Sequence, residues 1–184
     1  MVAFVENWKP CPANVDGYTH IFIAFATSYN TACQITAPPI CSEASSTQVA
    51  DWQEAGIKVV ISYGGWNMNS HWQDCFGKED QASTDLVNIV SSQDFDGVNI
   101  DFESQVDSSA QNFLKEMNVY LRDKMDALST GKKYELSHVP MDVDMAEGKP
   151  YFNILASQKD IIDYVMPQVS AYGMISSFVL YPLL

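Results

Sequence analysis

A chain of 184 residues, 47% apolar and 12% aromatic, is long enough to bury one core and has the composition of a globular fold rather than a disordered one. Its formal net charge of -13 arises from 23 acidic and 10 basic side chains, with Arg122 the single arginine. That balance leaves no basic stripe for a phosphate backbone, which argues against nucleic acid and an anionic membrane surface as partners. No apolar run approaches the roughly 20 residues that span a bilayer, so a soluble protein is expected.

In chain order, VAFVE (2–6) and THIFIAFA (19–26) are short apolar runs of the kind that form buried strands. Residues 28–46 read as a decorated loop. Thr47–Ala55 brings Val49 and Trp52 to one helix face, and the following GIKVV supplies a C-cap glycine that feeds a third strand, KVVISY (58–63). A second helix over Asp80–Ser92 collects Ala82, Leu86, Ile89 and Val90, and FDGVNIDF (95–102) is the fourth strand. The clearest helix is Ser108–Leu128, where Leu114, Met117, Leu121, Met125 and Leu128 keep spacings of three and four. YELSHV (134–139) and DYVMPQVS (163–170) complete six strands. Strands that alternate with helices predict a parallel sheet with right-handed crossovers, an α/β fold in a single domain.

Cys11, Cys33, Cys41 and Cys75 lack the spacings of zinc sites, and no metal is expected. Disulfides are expected instead, with buried free thiols as the alternative and all three connectivities open. All four cysteines fall in strand-to-helix connections, which share one rim of a parallel sheet or barrel. Disulfides imply an oxidising compartment, yet the opening MVAFVENW has no basic region, long apolar stretch or small-residue cleavage site. Either a leader precedes this sequence or the protein stays inside the cell.

The fourth strand carries the chemistry. Side chains alternate along it, so Asn99, Asp101 and Glu103 share one face, while Asp94, Asp96 and Phe102 take the other. Successive members of the first row lie about 7 Å apart, and Glu103 comes last, at the carboxyl end where parallel β/α folds place catalytic groups. A charge on Asp101 beneath Glu103 is expected to raise the pKa of Glu103 and prepare it as a general acid. Two acids that merely solvate a strand end are the plainer alternative.

DGVNIDFE, Asp96 to Glu103, closely resembles the DGxDxDxE signature of glycoside hydrolase family 18, the chitinase family, on its fourth barrel strand. Other segments agree in order. SYGGW (62–66) resembles the family's SxGG segment with Ser62, Gly64 and Gly65, and THIFIAFA resembles its second strand. HVPMDVD (138–144), with Met141, resembles the fifth-strand segment, and VMPQVS, with Met166 and Gln168, resembles the sixth-strand segment of the fungal and plant-type branch. The resemblance runs from Phe4 to Gln168.

What it implies is a (β/α)8 barrel, incomplete here with six β/α units, that hydrolyses β-1,4-linked N-acetylglucosamine in chitin or chito-oligosaccharides with retention of configuration and no cofactor. Glu103 would act as general acid and base, the substrate's own acetamide would be the nucleophile, and Asp101 would orient and stabilise it, an exception to the two-carboxylate scheme. Asp96 would be structural, and Gly97 would permit a close approach. Secretion would fit both the family and the cysteines.

The chain also departs from the pattern. Asn99 stands where the family has its second aspartate, and its amide could donate to Asp101, easing ionisation of Asp101 and altering the pH profile. At the sixth strand the family's tyrosine position falls on Ser170, with Tyr172 two residues later as the substitute or as a packing aromatic. Trp66 and Trp72 lie after strand three, above the expected site, and Trp66 is read as a sugar-stacking residue with a core role as the alternative. Trp52 reads as core, His20 and His138 as satisfied buried histidines, and His71 as a surface residue.

A full eight-unit barrel takes about 250 residues, and the final AYGMISSFVLYPLL has no counterpart of strands seven and eight. The expectation is a partial sequence. Beside the chitinase reading stand a chitin-binding lectin, a storage or inhibitor protein, an endo-acting N-glycan hydrolase and an inactive fragment. Retention of Glu103 argues against the lectin.

Overall fold

A computed structural model describes residues 1–168 of the chain. Its centre is a six-stranded parallel sheet in sequence order: β1 (Val2–Glu6), β2 (His20–Ala26), β3 (Lys58–Gly64), β4 (Gly97–Asp101), β5 (Glu135–His138) and β6 (Tyr164–Val165). Five helices connect the strands: α1 (Gln48–Glu54), α2 (Trp72–Cys75), α3 (Glu79–Ser92), α4 (Ser108–Asp126) and α5 (Pro150–Ser157). Sequential, all-parallel order with intervening helices is the arrangement of a (β/α)8 barrel, of which six strands and five helices are described.

Alternation separates two apolar regions. Ile21, Ile23, Val59, Ile61, Val98, Ile100, Phe102 and Leu136 face outward and pack with Leu86, Leu114, Met117 and Leu121 of the helices into the main core. The concave side carries a smaller cluster of Phe22, Val60, Val139 and Met166. Polar rungs cross the same side in register. Ser62 Oγ donates to Asn99 Oδ1 at 2.8 Å and Asn99 Nδ2 donates to Ser137 Oγ at 3.0 Å, across β3, β4 and β5. Nearer the amino ends, His20 Nε2 and Tyr164 Oη both donate to Glu135 Oε2, at 3.1 and 3.0 Å.

Local signals explain the elements. Asp107 caps α4 by accepting from the Ser109 and Ala110 amides at 2.9 Å each, which satisfies two orphan donors of the first turn. Pro150 stands in the first turn of α5, where its missing N–H costs nothing. Helices α2 and α5 were not anticipated from the sequence. Both are short, and α5 is apolar enough to read as a strand or loop without its tertiary setting. The disulfides are Cys11–Cys41 and Cys33–Cys75; Cys33 and Cys41 lie in the β2–α1 connection as expected, whereas Cys11 lies in the β1–β2 connection, which holds no helix, and Cys75 ends α2. No helix among the described residues is long and apolar enough to cross a membrane.

Candidate active site

Strand β4 positions the central groups. Gly97 pairs with Glu135, and a Cβ there would collide with the Glu135 backbone, so only glycine allows β4 and β5 to approach this closely. Asp96, just before the strand, accepts from the Val59 amide at 2.9 Å and from Gln53 Nε2 at 3.0 Å, with Lys58 Nζ 3.5 Å away. It ties β3, α1 and β4 together at the end remote from the cleft. Asp94 does not share its face as alternation suggested: the backbone turns there (φ 55°), and the exposed carboxylate pairs with Lys132.

At the carboxyl end, Asp101 is buried and Glu103 half-buried, and one side chain, that of Gln168, bridges their carboxyls. Gln168 Nε2 donates to Asp101 Oδ1 at 2.9 Å, to Glu103 Oε1 at 3.1 Å and to the Val139 carbonyl at 3.3 Å. Gly64 and Gly65 both have positive φ, 122° and 81°, and the Gly65 amide donates to the Asp101 carbonyl at 2.9 Å. A side chain at Gly64 would strike that carbonyl and the Trp72 ring, so the turn from β3 to Trp66 depends on glycine.

Burial and neighbouring charge both act on Asp101. Burial first, then the charge of Glu103 and the hydrogen bond with it, push the Asp101 carboxyl well above the usual range, with Gln168 pulling it back. Asp101 is the more deeply buried of the two carboxyls. Among the described residues Asn99 makes no hydrogen bond to Asp101. The asparagine amide is engaged by Ser62 and Ser137, one rung below.

Glu103 opens onto a cleft of about 650 Å3 lined by Trp66, Asn69, Met141, Asp144 and Lys149 among others. Trp66 is 69% exposed and also borders a second hollow of about 310 Å3 with Trp8 and Tyr29, themselves 59% and 53% exposed. That exposure decides between the two readings of Trp66: it is not core. Trp72 is the core residue, packed against Tyr63, Phe102 and Phe113, and Trp52 is buried as well. Met141 borders the cleft, whereas Met166 is fully buried beneath the site, against Phe22, Val60 and Val139. Ser62 is buried in the polar rung, and Ser170 and Tyr172 lie outside the described residues.

His138 is fully buried and bonded to Tyr151 and Asn118, as a satisfied core histidine should be. His20 is half-buried, and His71 is a partly exposed residue beside Asp74. Among the described residues no cluster of His, Cys, Asp and Glu could hold a metal ion. Trp8, Tyr29, Asp144 and Lys149 were missed in the sequence. Trp8 and Tyr29 carry a usable signal, since each is an aromatic set just beyond the carboxyl end of a strand, whereas Asp144 and Lys149 reach the cleft only through the fold of the β5–α5 connection.

The model of the family described as glycosyl hydrolases family 18 matches residues 1–174. No curated protein sequence matches the chain. Among solved structures, a family 18 chitinase from Pseudoalteromonas aurantia superposes with a TM-score of 0.71 at 19% identity, covering 93% of this chain and 68% of that one. A chitinase from Rhizomucor miehei gives 0.67 at 18% identity, covering 91% and 56%. Catalytic domain 2 of the Ostrinia furnacalis group II chitinase, in complex with penta-N-acetylchitooctaose, gives 0.71 at 15% identity, covering 90% and 49%. The chain thus spans between 49% and 68% of the length of these structures, and the likeness shows the shared barrel fold.

Proposed function

The chain belongs to glycosyl hydrolases family 18, and from that premise we propose that it is a chitinase-like glycosidase acting on β-1,4-linked N-acetylglucosamine in chitin or chito-oligosaccharides. The observation that carries the reading is the Asp101–Glu103 pair, bridged by Gln168 at the carboxyl end of β4, beside an open cleft walled by the exposed Trp66. An apolar ring face next to a carboxyl suits a pyranose, which offers a hydrophobic face and a leaving oxygen at the same edge.

In the proposed reaction the acetamido oxygen of the substrate attacks the anomeric carbon while Glu103 gives its proton to the glycosidic oxygen. The C–O bond breaks, the leaving sugar departs as an alcohol, and the acetamide becomes a cyclic oxazolinium ion. Asp101 accepts the acetamide N–H and offsets the positive charge that develops there. Water then attacks the anomeric carbon, the Glu103 carboxylate takes its proton, and the acetamide is restored with net retention. No metal or cofactor takes part in this scheme. Trp66 and Met141 would contact the sugars, with Tyr172 a further candidate, while Ser62, Asn99, Gly64, Gly65, Asp96 and Gly97 hold the site in shape.

The two disulfides and the family support a secreted protein, since such bonds persist in oxidising compartments. The test is release of chromophore from a chito-oligosaccharide by the full chain and by Glu103→Gln. Loss of activity in the variant supports the proposal, and equal rates for the two proteins overturn it. Tight binding of the oligosaccharide with no hydrolysis by either protein would identify a lectin.

A further inference from the structure

Among the described residues, Gln168 is the side chain that hydrogen-bonds both carboxyls, and its placement does not depend on them. Its backbone amide donates to the Pro140 carbonyl at 2.8 Å, and Met141 and Gln168 form a parallel bridge, so β5 sets its position. The side-chain nitrogen has two hydrogens and three acceptors: Asp101 Oδ1, Glu103 Oε1 and the Val139 carbonyl. The reverse orientation would set the amide oxygen against three acceptor oxygens, so the nitrogen must face the pair. Asp101 Oδ1 and Glu103 Oε1 are then acceptors. Any proton on the pair then lies on an oxygen turned away from Gln168.

We propose that Gln168 is a positioning residue that bridges the Asp101–Glu103 pair and keeps the proton of that pair off the two oxygens facing its amide. The inference rests on the reading of Glu103 as the acid and deepens it. One proton is what the scheme requires, because Glu103 must have a proton to give while Asp101 remains an acceptor for the acetamide. Gln168 would therefore act through the carboxyls rather than as a sugar contact. The surroundings leave this task to a neutral donor. From β3, β4 and β5 the nearby side chains Ser62, Asn99, Ser137 and Val139 do not titrate, Tyr151 of α5 is held neutral by burial and by the charges of Asp101 and Asp144, and Asp144 and Lys149 line the cleft beside Glu103.

Gln168→Met keeps the volume of the side chain and removes the donor. With the full chain and a chito-oligosaccharide, kcat is expected to fall at least tenfold, KM to change less than threefold, and the acid limb of the kcat–pH profile to move upward by about one pH unit, since Asp101 loses a bond that favours its ionised form. A loss confined to KM, with the pH profile unmoved, overturns the proposal and makes Gln168 a sugar contact. Carbon-13 titration of the Asp101 carboxyl decides the matter without turnover: an upward shift in Gln168→Met supports positioning, and an unchanged midpoint overturns it. If the unsubstituted chain hydrolyses nothing, the glycosidase reading fails and the titration alone judges the role of Gln168. Should Gln168→Met not fold, Gln168→Glu is titrated instead; a cluster that retains one additional proton at neutral pH supports the proposal, and one that does not overturns it.

Discussion

Two buried polar clusters lie on opposite sides of the same sheet. Behind it, the Lys115 carbonyl accepts from Gln158 Nε2, Gln158 Oε1 from Asn118 Nδ2, Asn118 Oδ1 from His138 Nε2, and His138 Nδ1 from the Tyr151 hydroxyl, each at 2.9 to 3.0 Å. A backbone carbonyl at one end fixes the direction of every donor, so the imidazole is neutral with its proton on Nε2. Burial depresses the pKa of His138 to about 3. Within the barrel, Asp101, Glu103 and Gln168 set two carboxyls and one amide beside an open cleft. The satisfied cluster locks α4 and α5 to β5, whereas the charged one holds acid–base capacity at some expense of stability.

Substitutions should separate these roles, beginning with the largest effect. Glu103→Gln should lower hydrolysis about a thousandfold while leaving the melting temperature nearly unchanged, as turnover and calorimetry would show. His138→Leu should do the converse. It orphans the Tyr151 hydroxyl and the Asn118 carbonyl oxygen, and thermal denaturation should show a loss of about 3 kcal/mol, lowering Tm by roughly 10 °C. Arg122→Ala should cost about 2 kcal/mol in denaturant titration, because it removes donations to the Ile161 and Tyr134 carbonyls and to Asp163.

Asp101→Asn should abolish most activity yet raise stability at pH 7 by about 1 kcal/mol, or roughly 2–4 °C in Tm. The sign follows from its raised folded-state pKa. The folded protein holds that proton more tightly than the unfolded chain, so the contribution of Asp101 is full below its usual value of 3.8 and declines as pH rises toward the folded value. His138 works in the opposite direction. Its contribution is present above 6.5 and is lost as pH falls from there toward about 3, because only the unfolded chain takes up the proton readily. A melting temperature insensitive to pH over that interval would contradict the buried neutral imidazole.

Much of the site was legible because strand alternation is a local rule: Asn99, Asp101 and Glu103 had to share a face, and Gly97 had to mark a close approach. The aromatic assignments were less so. Trp66 and Trp72 stand in the same connection, yet one is exposed at the cleft and the other buried against Tyr63 and Phe102, because α2 turns only Trp72 inward. The raised pKa of Asp101 was not anticipated for a similar reason. Charge proximity is symmetrical along a strand, while desolvation depends on depth, and Asp101 lies deeper.

By itself, the sequence determined the alternation of strands and helices, the parallel order, the family motif and the face on which the carboxylates stand. These follow from periodicity and spacing along the chain. Tertiary structure decided which carboxyl is the more deeply buried, which tryptophan meets the cleft, that Asn99 serves a rung between Ser62 and Ser137, and that Gln168, just past β6, reaches across to Asp101 and Glu103 at the carboxyl end of β4. Each of those depends on partners tens of residues away, and hydrogen-bond direction and burial exist only once those partners are brought together.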